Sequence, residues 1–117
     1  MIRLAAFLTC FATFANAQEA TQAPGATVRL LDRVTGQLED LEMFVGQTAR
    51  LDLIDIQLGE CRFPTGNPSG DAFAFLEVTD RLADTQIFAG WMIASSPALN
   101  ALDHPRFDVW VLRCKTS

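Results

Sequence analysis

The chain has 117 residues, half of them hydrophobic, with 14 acidic side chains against nine basic ones, three cysteines and a single histidine. A formal net charge of −5 with no Lys/Arg cluster repels phosphate backbones and anionic lipid headgroups, which excludes nucleic-acid binding as a working class. The length allows one domain with a modest core.

Residues 1–17 have the order of an export signal. Arg3 supplies a positive start, "LAAFLTCFATF" (4–14) is the apolar run, and Ala15-Asn16-Ala17 gives the small-x-small pattern that signal peptidase reads. The run is too short to cross a bilayer, which takes roughly 20 residues. Cys10 raises a lipoprotein reading, but it lies early in the run and Thr9 stands where that signal needs Gly, Ala or Ser. Cleavage after Ala17 is expected, leaving 100 of the 117 residues in a periplasmic protein that does not span the membrane. In an exported chain the remaining pair, Cys61 and Cys114, is most simply a disulfide. By the chain-entropy estimate such a bridge contributes about 4 kcal/mol. Free thiols for redox or metal work are the competing reading, without a Cys-x-x-Cys motif to support them.

Residues 18–26, "QEATQAPGA", are small, polar and broken by Pro-Gly, and are expected to be a flexible leader to a single domain over 27–117. "TVRLLDRV" (27–34), the Thr35-Gly36 turn and "QLEDLEMFV" (37–45) predict a hairpin with one wet face. In "TARLDLIDIQLGECRF" (48–63) the apolar parity shifts between Leu53 and Ile54, which predicts a bulge or bend near Leu53. "PTGNPSGD" (64–71) is loop by composition. "AFAFLEVTD" (72–80) and "QIFAGWMIAS" (86–95) follow as strands joined by a turn, with Gly90 marking a bend or a close neighbour. "SSPALNAL" (95–102) is the one helical signal, with serine to cap it and Pro97 at its first position. "RFDVWVLRC" (106–114) is the last strand. The fold class expected is all-β, a small antiparallel barrel or sandwich of about six strands, with one short helix and a single disulfide.

The chemistry-bearing residues crowd the closing segment. Ser95 or Ser96, His104 and Asp103 or Asp108 are the residue types of a hydrolytic triad, but no Gly-x-Ser-x-Gly elbow is present and Asp103 adjoins His104. One histidine and "NPSGD" fall short of a metal site, so no metal and no cofactor is expected. Trp91 and Trp110 are expected in the core, with Trp110 the better candidate for a groove because Asp108 shares its face.

Three stretches, "ATVRLLDRVTGQLEDLEMFVGQTARL", "GECRFPTGNPSGDAF" and "FAGWMIASSPALNALDHPRFDVWVLRC", resemble the bacterial family catalogued as domain of unknown function 2155. The resemblance spans Thr27 to Cys114, and its hallmark runs from Gly90-Trp91-Met92 through Ser95–Asn100 to His104-Pro105 and Asp108-Val109-Trp110. It implies a short exported protein of Gram-negative bacteria with no assigned activity, often encoded near a homologue of a small accessory subunit of respiratory complex I.

The reading that follows is a non-enzymatic periplasmic binding or accessory module for an envelope or inner-membrane protein complex. Its contact rim is expected where the 64–71 loop meets the 95–106 segment, with Asn67, Asp71, Ser95, Asn100, Asp103, His104, Arg106 and Trp110 as surface candidates. The alternative is a small periplasmic hydrolase using a carboxylate pair or His104.

Overall fold

The alternating sequence builds strands throughout the computed structural model, which describes residues 19–116. The expected export signal and its cleavage site lie outside the described residues. One antiparallel sheet contains β1 (Ala20–Gln22), β4 (Thr48–Leu51), β5 (Ile54–Pro64), β6 (Phe73–Asp80) and β7 (Thr85–Ile93). Its order is β1–β5–β6–β7, with β4 beside β1 on the same side of β5. The second sheet is β2 (Gly25–Asp32), β3 (Leu38–Phe44) and β8 (Phe107–Lys115), in the order β3–β2–β8.

The two sheets pack face to face. Ile54, Ile56, Leu58, Ala74, Leu76, Val78 and Met92 from the first are buried together with Ala26, Val28, Leu30, Val109 and Val111 from the second. Along each strand these residues alternate with outward ones, the period-two signature of a sheet buried on one face. The architecture is a sandwich, one of the two forms the alternation allows, and not a closed barrel. Cys61 on β5 and Cys114 on β8 form the expected disulfide, with Cα atoms 5.8 Å apart, and it joins one sheet to the other.

Several local expectations are corrected. The leader is partly strand: β1 pairs with Arg62–Pro64, and Ala23 and Ala26 are buried. Its small residues are fitted to tight places rather than left loose. At Gly25, for example, a Cβ would stand 2.1 Å from the Met43 carbonyl oxygen. The parity shift at Leu53 is a reversal of the chain, not a bulge. Leu51 pairs with Ile54, and Asp52 takes the left-handed turn conformation at φ 46°. The bulges fall elsewhere, with Gly59, Ile87 and Leu112 as the extra residues.

No helix forms among the described residues, and 94–100 is a succession of turns. Five residues after Pro97 are too few to nucleate a helix unaided, and the side chains that could help are engaged otherwise. Ser95 turns its hydroxyl to Asp71, and Asn100 donates its amide to the Trp91 carbonyl at 2.8 Å. β8 is an edge of its sheet, and Pro97, Ala98 and Ala101 of the irregular 94–106 crossover lie beside its Asp108 and Trp110.

That crossover leaves β7 at the Phe73 end of β6 and reaches the Asp80 end at His104, a run of about 23 Å at strand spacing. Leu102, 3% exposed, is its apolar anchor. The β7 edge beside it, "TQIFAGWMI", carries no charge to discourage pairing with another chain. Gly90 has the close neighbour its sequence context suggests, since a Cβ there would lie 2.8 Å from the Asn100 amide nitrogen.

Two outcomes are expected. Replacing Cys61 and Cys114 by alanine should cost about 3 kcal/mol and lower the thermal midpoint by roughly 10–20 °C, read by circular dichroism against the oxidised protein. Asn100→Ala should cost about 1 kcal/mol and produce concentration-dependent self-association in sedimentation velocity, because it opens an uncharged strand edge.

Candidate functional site

The single rim expected for the 64–71 loop and the 95–106 segment is divided between opposite ends of the sandwich. At the first end Asp71 binds the two loops together. Its Oδ1 accepts the Ala72 and Ser95 amides, each at 2.9 Å, and its Oδ2 accepts the Ser95 hydroxyl at 2.6 Å. Burial pushes the Asp71 carboxyl upward, but these donors outweigh it and hold the group below the ordinary carboxylate value. Asn67 forms the adjoining turn, accepting the Gly70 amide on its carbonyl.

His104 and Arg106 lie at the other end. His104 Nδ1 accepts the Arg106 and Phe107 amides, each at 3.1 Å, so the ring proton sits on Nε2 and is donated to Asp80 Oδ2 at 3.3 Å. Both ring nitrogens are thereby committed. Asp80 in turn accepts the Leu82 and Ala83 amides on Oδ1. The Ala83 bond leads in holding its carboxyl below the ordinary value against burial, with His104 and Leu82 adding to it. Arg106 grips Asp32, with Nη2 2.9 Å from Oδ2, and Arg33 lies 3.4 Å from Asp108. The Arg106 hydrogen bond is the main reason the Asp32 carboxyl falls to about 2, helped by the Val34 and Thr35 amides and opposed by burial. Asp103 is exposed one position before His104.

Ser95 and His104, the partners a triad would need, thus serve separate latches with Asp71 and Asp80. Among the described residues no three His, Cys, Asp or Glu side chains converge as metal ligands. Trp110 sits between the two ends, half-buried, lining a cavity of about 310 Å³ with Pro97, Ala98, Ala101 and Asp108.

The larger concavity, about 600 Å³, lies on the outer side of the second sheet. Register places Glu42, Thr27 and Arg113 in one row across β3, β2 and β8. Thr27 points outward yet is 2% exposed, with Pro68 and Ser69 of the 64–71 loop on the facing wall. Cys114, Lys115 and Thr116 complete the trough. Lys115 donates to Glu42 at 3.2 Å and lies 5.0 Å from the Phe44 ring centre. Asp40 in the neighbouring row is held below its ordinary value first by its hydrogen bond from Arg29, against burial, and then by the charges of Arg29 and Arg113. Of the candidate loops, then, only the 64–71 loop reaches this trough, and it does so through Pro68 and Ser69 rather than Asn67 or Asp71.

Sequence reasoning also misplaced Trp91. It faces outward, 39% exposed, with the Phe75 ring edge-on at 5.5 Å and the Arg62 guanidinium 5.4 Å from its centre. The signal was present. Phe73 and Phe75 share one face of β6, and the smaller Ala72, Ala74, Leu76 and Val78 hold the other. The tightly filled core took the smaller set.

The Asp32 latch has a pH signature. A carboxyl at about 2 when folded and 3.8 when free contributes stability above pH 3.8 that disappears as the pH falls through 2. Asp32→Asn should therefore be less stable than wild type at pH 7. Between pH 4 and pH 2 its thermal midpoint should fall less than that of wild type, so that the two converge near pH 2. Parallel midpoint curves would contradict the latch.

The chain is 25% identical over 87 residues to "Uncharacterized protein RP359" of Rickettsia prowazekii (strain Madrid E). The match covers 72% of this chain and 56% of the relative, so the chain spans a little over half the length of the curated protein it resembles. No solved structure matches significantly. A match over residues 26–114, which begins in β2 and ends at Cys114, makes the chain a member of the family described as "Uncharacterized protein conserved in bacteria (DUF2155)".

Proposed function

We propose that this protein is a non-enzymatic binding module of the cell envelope, exported to the periplasm and attached to an envelope or inner-membrane protein complex through the trough beside Arg113. The observation that carries the proposal is how the polar groups are used. Asp32, Asp71, Asp80, Ser95, His104 and Arg106 are occupied in holding loops, whereas the trough remains open and is lined by the Thr27, Ser69 and Thr116 hydroxyls, Arg113, and the paired Lys115 and Glu42. Its volume of about 600 Å³ is in the range of small-ligand and peptide sites. Among the described residues no helix is long and apolar enough to cross a membrane. Periplasmic location rests on the export signal expected in residues 1–17 and on the disulfide.

The His104 form of the hydrolase alternative needs a free base. His104 Nδ1 already accepts two amides, so it has no lone pair left to take a proton from water or a hydroxyl.

A photo-crosslinking residue at position 69 of the protein, produced in its own bacterium, should give a discrete adduct. The same residue at position 82, where Leu82 is 78% exposed at the opposite end, should not. Identical adducts from both positions, or none from position 69, would refute the trough as the contact site.

A further inference from the structure

The trough also indicates its ligand, an inference that rests on its being the binding site. The acidic excess gives nearly every cation in this molecule a carboxylate. Among the described residues Arg29, Arg33, Arg50, Arg62, Arg81, Arg106 and Lys115 each lie within 4.0 Å of one. Arg113 is the exception, and it stands on the wall of the trough. Fourteen acids against eight bases in this region make an unmatched arginine a conspicuous departure. Crossing the adjacent strand, its row ends in Glu42, but that carboxylate is engaged by Lys115.

We propose that Arg113, with the Thr27 and Ser69 hydroxyls beside it, binds the carboxylate of a ligand whose remaining chain lies along the trough. Charge favours a carboxylate over a phosphate, since the guanidinium fork pairs with two oxygens of either group. Lys115 and Glu42 cancel, which leaves one uncompensated positive charge, the complement of a monoanion. A phosphate carrying two charges would leave one of them unmatched in an already acidic chain. The trough of about 600 Å³ has room for a chain beyond the carboxylate, and Pro68 supplies an apolar wall for it. A peptide C-terminus and a small carboxylic acid both present this chemistry.

The test follows the backbone amides of residues 27, 69 and 113–116 and the Arg113 Nε–H by nuclear magnetic resonance on the whole exported protein. The probes are N-acetyl-trialanine with a free carboxylate, the same peptide amidated, sodium acetate and inorganic phosphate, all at one ionic strength. The free acid should shift these signals saturably. The amide should bind at least about tenfold more weakly, and Arg113→Gln should lose at least about tenfold, as expected for a hydrogen bond to a charged group. Arg113 is exposed, so this variant should keep the wild-type thermal midpoint. Peptide binding at least about tenfold tighter than acetate supports the proposal, whereas acetate binding as well as the peptide would overturn a ligand chain lying along the trough. A saturable shift with the amide equal to that with the acid would overturn the carboxylate while leaving the trough a binding site. Absence of saturation with every carboxylate, or tighter binding of phosphate, would also overturn it. Failure of the position-69 adduct with acid binding intact would instead remove the cellular contact and leave the ligand chemistry standing.

Discussion

The bridge between Cys61 and Cys114 is the constraint from which the rest of the molecule is organised. No strand is shared between the two sheets, so burial of their inner faces is what presses them together, and burial has little directional preference. The disulfide supplies direction. It fixes one point of β5, interior to the first sheet, against the edge strand of the second. Arg62 follows Cys61 and carries the aromatic outer face, and Arg113 precedes Cys114 and carries the trough. The 64–71 loop begins three residues beyond Cys61. Both exposed surfaces therefore grow from residues adjacent to a covalent tie, which lets an exposed arginine keep its position without being held by a carboxylate.

The far end is secured differently. Asp32–Arg106 and Asp80–His104 fasten the start of β8 to β2 and to β6, so each sheet is gripped once by a polar pair. These contacts sit at loop ends where backbone amides also need acceptors, and the carboxylates and the imidazole serve both purposes at once. Asp32 accepts from Val34, and His104 accepts from Arg106 and Phe107. The crossover is strung between a covalent end and an electrostatic one, with Leu102 and Asn100 as its intermediate anchors. Acid weakens the carboxylate latches at both ends, Asp71 at the first and Asp32 and Asp80 at the second, and leaves the disulfide untouched.

Much of this architecture was legible in the residues. Alternation located the long strands, and Thr35-Gly36 and the 64–71 composition located their turns. Two cysteines in a chain expected to be exported implied their bond. What failed has a common origin. Ser95-Ser96-Pro97 and Asn100 are ambiguous locally, since the same side chains cap a helix or bond to distant backbone, and only tertiary partners such as Asp71 and the Trp91 carbonyl decide between them. The parity shift at Leu53 had two geometric solutions, and the left-handed tolerance of Asp52 selected the reversal. Phe73 and Phe75 against Ala74 and Leu76 posed a choice between two apolar faces, which volume in the core resolved. Arg113 could not be singled out in the sequence, because being unmatched is a property of every other charge's partner.

That last property bears on how an acidic protein can select an anion. A uniformly negative surface lowers the local concentration of all anions, and the penalty grows with ligand charge. An isolated arginine fork gains from a bidentate contact that a single charge is enough to earn, whereas each further negative charge meets only the repelling field. The acidity that excludes nucleic acid and anionic lipid is then the same feature that makes one unpaired cation selective.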